Sequence, residues 1–327
     1  MGESAIAALR AGDGDMKEIT GGTFMMGSDR FYPEEKPARE VHVDPFLIDE
    51  TPVTNDQFAH FVADTGYLTV AEIAPDPKYY PDLPPDMAKA GSAVFMPLDH
   101  PVSLIRPNWW SFVFGASWRH PYGPESSIDS LGLHPVVQIA YADALAYAEW
   151  AGKRLPTEAE WEFAARGGLI GRDYAWGDEL APGGEMLANY WQGAFPRENL
   201  ALDGYERTSP VKTYPENGYG LFDMIGNVWE WTSDWYSDTP SAPSKSCCST
   251  SRSDAISEAQ SYDPAMPSVR IGRKVVKGGS HLCAENYCRR YRPAARHPQM
   301  VDSGTTHIGF RCVRSVLTVD RRLESPV

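Results

Sequence analysis

Two thiols, Cys283 and Cys288, stand five positions apart in "GGSHLCAENYCRRYRPAAR", residues 278–296, and Arg289, Arg290 and Arg292 follow directly. Along a strand, five positions span roughly 16 Å and leave the side chains on opposite faces. Along a helix they lie about 140° apart around the axis. The sulfurs therefore meet only if "CAENYC" bends, and its Ala284-Glu285-Asn286 centre suits a turn. A converged pair is a disulfide, a redox couple or a metal site; an unconverged pair is two ordinary thiols. Structural zinc wants four ligands, usually two short-spaced pairs of Cys or His. No second pair is present: Cys247 and Cys248 are adjacent and chelate poorly, and His281 and His297 have no ligand spacing. Two thiolates alone suit a soft ion that accepts two-coordination, and Cu(I) is the obvious one. If "CRRYRP" is extended, Cys288, Arg290 and Arg292 share a face, and nearby guanidinium groups favour thiolate over thiol. The competing role for the same arginines is pairing with carboxylates.

Such a segment needs elements to hold it. "ITGGTFMMGSD" reads as a strand broken by glycines, and "EVHVDPFLIDETPVT" as one or two further strands. Three helices are signalled. In "TNDQFAHFVADTG", Thr54 caps, Gln57 answers it in a capping box, Phe58, Phe61 and Val62 form an apolar face, and Gly66 stops the helix. "PTEAEWEFAARGG" repeats that logic with Thr157, Glu160, Trp161, Ala164, Ala165 and Gly167, and "YADALAYAEWAGKR" ends at Gly152. Residues 74–108 and 237–268 show no period and read as long loops of functional or mobile character. No composition break divides the chain. The expectation is one α+β domain with short scattered strands and abundant loop.

Composition agrees with a loop-rich globular chain. Of 327 residues, 42% are hydrophobic, while Gly and Pro number 28 and 27. Ten Trp and sixteen Tyr are available to pin loops to a core. The net charge of −14 repels phosphate, so neither nucleic acid nor an anionic membrane is an expected partner. No run of about twenty apolar residues suggests a membrane span. The start of the chain lacks the apolar stretch of a signal peptide, so the expected location is cytoplasmic. Five cysteines, an odd number in a long chain, do not make a disulfide scaffold.

"KGGSHLCAENYCRRYRPAAR" followed by "HIGFRC" resembles the active-site segment of formylglycine-generating enzymes, the sulfatase-modifying factor family. The likeness extends through "GGTFMMGS", "FLIDETPVTNDQF", "NWWSFVFGASWRHPYGPES", "HPVVQIAYADALAYAEWAGKRLPTEAEWEFAARGG", "YAWGDE", "ANYWQGAFP" and "NGYGLFDMIGNVWEWTSDWY". It covers residues 21–315, with 1–20 as an N-terminal extension and 316–327 as a tail. The resemblance implies a single irregular, loop-rich α+β domain related to the C-type lectin fold. It implies an enzyme that oxidises one cysteine in a C-x-P-x-R segment of an unfolded or nascent sulfatase to Cα-formylglycine, using O₂; the expected state is a monomer. By the same resemblance Cys283 and Cys288 bind Cu(I), the substrate thiol joins as a third ligand, and Ser280 lies beside the reacting centre. An older scheme instead gives Cys288 a mixed disulfide with substrate and oxidises Cys283.

The family further implies structural Ca²⁺, a hard cation held by oxygen. One set is Asn189, Asp203 and the carbonyls of Tyr190 and Tyr205; the other is Asp223, Glu230 and the carbonyls of Gly226 and Val228. The competing role for those acids is capping turns. Several positions depart from the family pattern: Pro293 and Ala165 replace a disulfide of secretory relatives, Ala148 stands where Cys312 would find a partner, and His307 replaces an asparagine. The substrate arginine calls for a carboxylate, Arg290 and Arg292 for a thiolate, and Trp109-Trp110 and Trp229-Glu230-Trp231 could wall the groove. Two rivals share the fold. A non-catalytic lectin-like binding module needs no cysteine pair, and an iron-dependent sulfoxide synthase needs a histidine-based triad that the eight histidines do not space.

Overall fold

A computed structural model describes residues 15–77, 80, 83–98, 109–238 and 256–316. Cys247 and Cys248, the end of the 74–108 stretch and nearly all of the C-terminal tail lie outside the described residues. Three helices form where the sequence signals them: α1 (Asn55–Thr65), α2 (Tyr141–Trp150) and α3 (Glu158–Ala165). Thr54 and Gln57 close a capping box on α1, with Gly66 left-handed at φ 67° beyond it, and Thr157 and Glu160 do the same for α3. The start of α2 is different. Ala140 has no side-chain oxygen, so Asp143 accepts the Ala140 N–H at 2.8 Å, and its carboxylate also takes the Val70 N–H and the Tyr67 hydroxyl.

Eleven short strands make four small sheets among the described residues. β1 (Met16–Ile19), β4 (Phe46–Asp49) and β11 (Val313–Ser315) form one, with β4 central. β2 (Gly22–Met26) and β3 (Arg39–Val43) pair as a hairpin, as do β5 (Gly91–Phe95) and β6 (Trp110–Phe114). The largest sheet runs β10 (Ile308–Gly309), β7 (Trp229–Trp235), β8 (Arg273–Lys277), β9 (Arg296–Met300), with β10 parallel to β7. Two expectations change. Met16–Ile19, assigned to an extension, is β1 and pairs with β4, so the domain begins before residue 21. The 74–108 stretch is not all loop: it contains β5, held by β6 on one side and by Ser92 Oγ on the Gly304 carbonyl on the other. Those partners are distant in sequence, which is why no local period announced the strand.

The core gathers Phe58, Phe61, Trp118, Tyr147, Trp161, Trp231 and Phe310, all nearly inaccessible. Behind β8 the core is ionic. Lys277 bonds Glu162 at 2.9 Å, Arg166 bonds the same carboxylate at 2.6 Å, and Arg296 forks onto Glu158. Every charge in this group has a partner, which is the condition for burying it; losing one partner from such a group costs about 3–5 kcal/mol. The network ties α3 to β8 and β9, and β8 delivers the chain to Gly278.

Candidate active site

Leaving β8, the chain turns through Gly278 and Gly279, both at positive φ. A Cβ on Gly279 would sit 2.8 Å from the Arg290 carbonyl oxygen and from Tyr291 backbone atoms, so two backbone segments touch here as only glycine allows. The next turn is closed by Cys283 N–H on the Ser280 carbonyl, while Ser280 Oγ accepts the Leu282 N–H. Then Ala284 O accepts the N–H groups of both Tyr287 and Cys288. That bend brings Cys283 Sγ and Cys288 Sγ to 3.1 Å, unbonded. The convergence that "CAENYC" required does occur.

The two thiols are unequal. Cys288 is drawn down to about 7, first by the hydrogen bond from Cys283 and then, against its burial, by Arg290, whose Nη1 lies 3.8 Å from the sulfur. Cys283 is pushed up by burial and by that same hydrogen bond. Cys288 is therefore the thiol that ionises first, and Cys283 the one that keeps its proton. Arg290 is fixed by Glu34 at 2.6 Å and lies over the Tyr32 ring at 3.8 Å. Arg292 does not share that face. The backbone folds back, with Arg292 N–H on the Arg290 carbonyl, and the Arg292 guanidinium pairs with buried Glu35 over the Phe31 ring. Glu35 is sealed from water and needs that cation, so Arg292 serves the carboxylate and Arg290 the thiolate.

The thiols open into a cavity of about 360 Å³. Ser280, Leu282 and Tyr287 line it beside them, and the face of the four-stranded sheet supplies Trp229, Val276, His297, Gln299 and Ile308. Trp109 and Trp110 wall it, as anticipated, whereas Trp231 lies in the core with its Nε1 on the Ile139 carbonyl. His297 and His307 both face this space, brought there by strand pairing and not by sequence spacing: His297 is opposite Val276, and the His307 carbonyl accepts the Trp229 N–H. Burial holds both imidazoles neutral, His297 down to about 3. Tyr287, Phe195 and Gln299 also escaped sequence reasoning; only Tyr287, adjacent to Cys288, carried a positional hint.

The donor set suits a soft ion. The two sulfurs, 3.1 Å apart, would hold such an ion once the pair opens to admit it. No cluster of three or more His, Cys, Asp or Glu capable of holding a metal occurs among the described residues.

Residues 8–316 match the family model of the sulfatase-modifying factor enzyme 1-like domain. The chain belongs to the sulfatase-modifying factor family. A formylglycine-generating enzyme of Mycobacterium tuberculosis is 52% identical over 302 residues, covering 91% of this chain and 97% of the relative. One from Streptomyces coelicolor is 48% identical over 90% of this chain and 87% of its own. An inactive Cα-formylglycine-generating enzyme 2 of Bos taurus also matches, at 38% over 93% of this chain and 90% of the relative, so membership alone does not settle activity. The solved structure of PvdO from Pseudomonas aeruginosa superposes with a TM-score of 0.58 at 23% identity, over 92% of this chain and 94% of that one, which shows the shared fold.

Within this sulfatase-modifying factor domain the two oxygen-rich sets differ. Asn189 is buried, its Nδ2 donates to the Arg207 carbonyl, and its Oδ1 has no hydrogen-bond partner. Asp203 beside it accepts the N–H groups of Tyr190 and Tyr205, and burial raises its carboxyl; Gln192 Nε2 donates to the Tyr190 carbonyl. The orphaned buried oxygen of Asn189 fits a hard cation, while Gln192 Nε2 also donates to Asp203. At the second set, Glu230 is already met. Arg311 forks onto it, Trp161 Nε1 donates to it at 2.7 Å, and Arg311 also reaches the Asp223 carbonyl. Asp223 itself, at φ 54°, caps the Lys212 N–H, and burial pushes it up to about 6. The cation that offsets Glu230 is a guanidinium, and this set does not fit calcium in its present arrangement.

Proposed function

We propose that this chain is a formylglycine-generating oxidase, which converts the cysteine of a C-x-P-x-R segment in an unfolded sulfatase to Cα-formylglycine with O₂. One observation carries the reading: two unbonded thiols 3.1 Å apart that line a cavity large enough for a side chain and its neighbours. A binding module has no use for that arrangement. Cys283 and Cys288 would hold the Cu(I) ion. When bound, such an ion supplies O₂ activation beside the substrate Cβ–H.

The chain's own residues do the rest. The hydrogen bond from Cys283, and after it Arg290, favour the Cys288 anion, and the Cys283 proton is the one displaced when a cation arrives. Ser280 Oγ already accepts the Leu282 N–H, which leaves its own proton free to donate into the cavity. The indoles of Trp109, Trp110 and Trp229 exclude water around the reacting carbon, while neutral His297 and His307 add no competing positive charge. Loss of two electrons and two protons from the substrate gives a thioaldehyde, and water then releases sulfide. Reducing O₂ to water takes two more electrons, from a thiol-class reductant. Ca²⁺ at Asn189, Asp203, Tyr190 and Tyr205 would brace the loop that carries Trp191, whose N–H binds the Cys283 carbonyl.

Mass spectrometry of a C-x-P-x-R peptide, incubated with copper-loaded protein, O₂ and a thiol, tests the reading. Wild type should exchange the thiol for an aldehyde. Cys283→Ser and Cys288→Ser should each abolish the exchange, and Cys312→Ser, remote in the core, should keep it. Full activity in Cys288→Ser would end the proposal.

A further inference from the structure

Beside the thiol cavity lies a second concavity of about 780 Å³, twice as large. Its walls are residues 70–76, α2, the β5–β6 hairpin and the segments 270–272 and 301–304. The lining is mostly apolar, with Ile73, Leu83, Met87, Phe112, Leu145 and Ile271 among it. Ile73, Phe112 and Met87 are 54%, 49% and 40% exposed. Large apolar side chains gathered open around one hollow mark a binding surface, where single scattered ones would not.

The two hollows adjoin across a shared wall. Ala93 and Ser303 line both. Trp110 and Phe112 lie two positions apart on β6, hence on one face and about 6.7 Å apart along the strand; Trp110 borders the thiol cavity and Phe112 the larger groove. The 301–307 segment repeats the pattern, with Val301 and Gly304 on the groove and Thr305 and His307 on the cavity. An extended chain whose cysteine rests at the thiol pair advances about 3.3 Å per residue, and so enters the groove within a few residues.

The geometry points to the groove as a second recognition site for the same substrate polypeptide, taking an apolar side chain that flanks the target cysteine. This inference rests on the functional reading above. A large apolar side chain is free to enter a groove while its own protein is unfolded, and is generally buried after folding. The groove therefore reads the unfolded state of the substrate, which a short consensus cannot report. Three carboxylates, Asp76, Glu258 and Asp302, border it against one guanidinium, Arg270, so acidic flanks are disfavoured.

Two fluorescent peptides of equal length test it, each with serine in place of the target cysteine so that binding is read without turnover. Both carry the same core; one has leucines on both flanks, the other glycine and serine. The leucine peptide should bind wild type about tenfold more tightly by anisotropy. In the double variant Ile73→Ser/Phe112→Ser that advantage should vanish while the glycine-serine peptide binds as before. Both side chains face solvent, and an unchanged melting temperature will confirm the fold. Equal affinities on wild type, or an advantage that survives in the variant, would overturn the groove. Turnover of the matching cysteine peptides is scored separately. Modification of both without a leucine advantage sinks the groove and leaves the oxidase; modification of neither sinks the oxidase, and the affinities still decide the groove.

Discussion

Arg290 stands between two anions, Glu34 and Cys288, and adds to the asymmetry that the hydrogen bond from Cys283 sets up in the thiol pair. In metal-free protein the pair should release its first proton near pH 7, from Cys288. Alkylation of Cys288 should therefore rise with pH to half its limit near 7, while Cys283, buried and raised, stays unmodified over that range. Arg290→Met should move the Cys288 profile upward. Peptide mapping after iodoacetamide reads both sites, and equal reactivity of the two thiols would contradict the asymmetry. At this scale the sequence disclosed the condition for convergence, since no regular element could join Cys283 to Cys288. It did not disclose which arginine serves the sulfur. Glu34 and Glu35 lie some 250 positions upstream, and they alone decide between Arg290 and Arg292. His297 was hidden, because strand pairing and not spacing sets it in the cavity, and His307 was marked only by the family resemblance.

The helix caps show why elements are more legible than sites. Thr54 with Gln57 and Thr157 with Glu160 are complete within four residues, so pattern alone finds them. Asp143 caps α2 from its third position and simultaneously holds the Val70 N–H and Tyr67 hydroxyl, contacts no local pattern contains. Burial pushes its carboxyl up to about 6 from 3.8. The folded state then binds that proton more firmly than the unfolded chain. Its stabilising contribution is present below about pH 4, is lost as pH rises to about 6, and is level above that. The linkage amounts to no more than about 3 kcal/mol. Asp143→Asn should remove this decline, so the stability difference between variant and wild type should shift in the variant's favour from pH 4 to pH 6. Asp223 titrates in the same direction and remains in both proteins. Urea unfolding at several pH values measures the difference; a constant gap would mean that Asp143 titrates alike in both states.

Across the whole molecule, small sheets and many loops leave much of the fold to long-range pairing. β1, near the start of the chain, and β11, near its end, flank the same strand, β4. No composition signal could place Met16–Ile19 inside the domain when their partners lie far along the chain. A cation at the proposed Asn189–Asp203 set would act at this scale. An ion that binds only the native state stabilises it by mass action, so a chelator should lower the melting temperature and excess Ca²⁺ should restore it. Asn189→Ala, which removes the unpartnered Oδ1, should abolish that response. Identical melting curves with and without chelator would remove calcium from the first set as well as the second.

The cavity wall of Trp109, Trp110 and Trp229 also makes the protein its own optical reporter. Trp109 and Trp229 are shut away from solvent, while Trp110 keeps part of its ring in water. Indole emission dims when a polarisable ion sits close by, and shifts to the blue when water is stripped from the ring. Loading the thiols with Cu(I) should darken the intrinsic fluorescence at constant colour, whereas a peptide arriving over Trp110 should change its colour. Two successive events at one site could then be told apart in a single unlabelled titration, by the light the chain already emits.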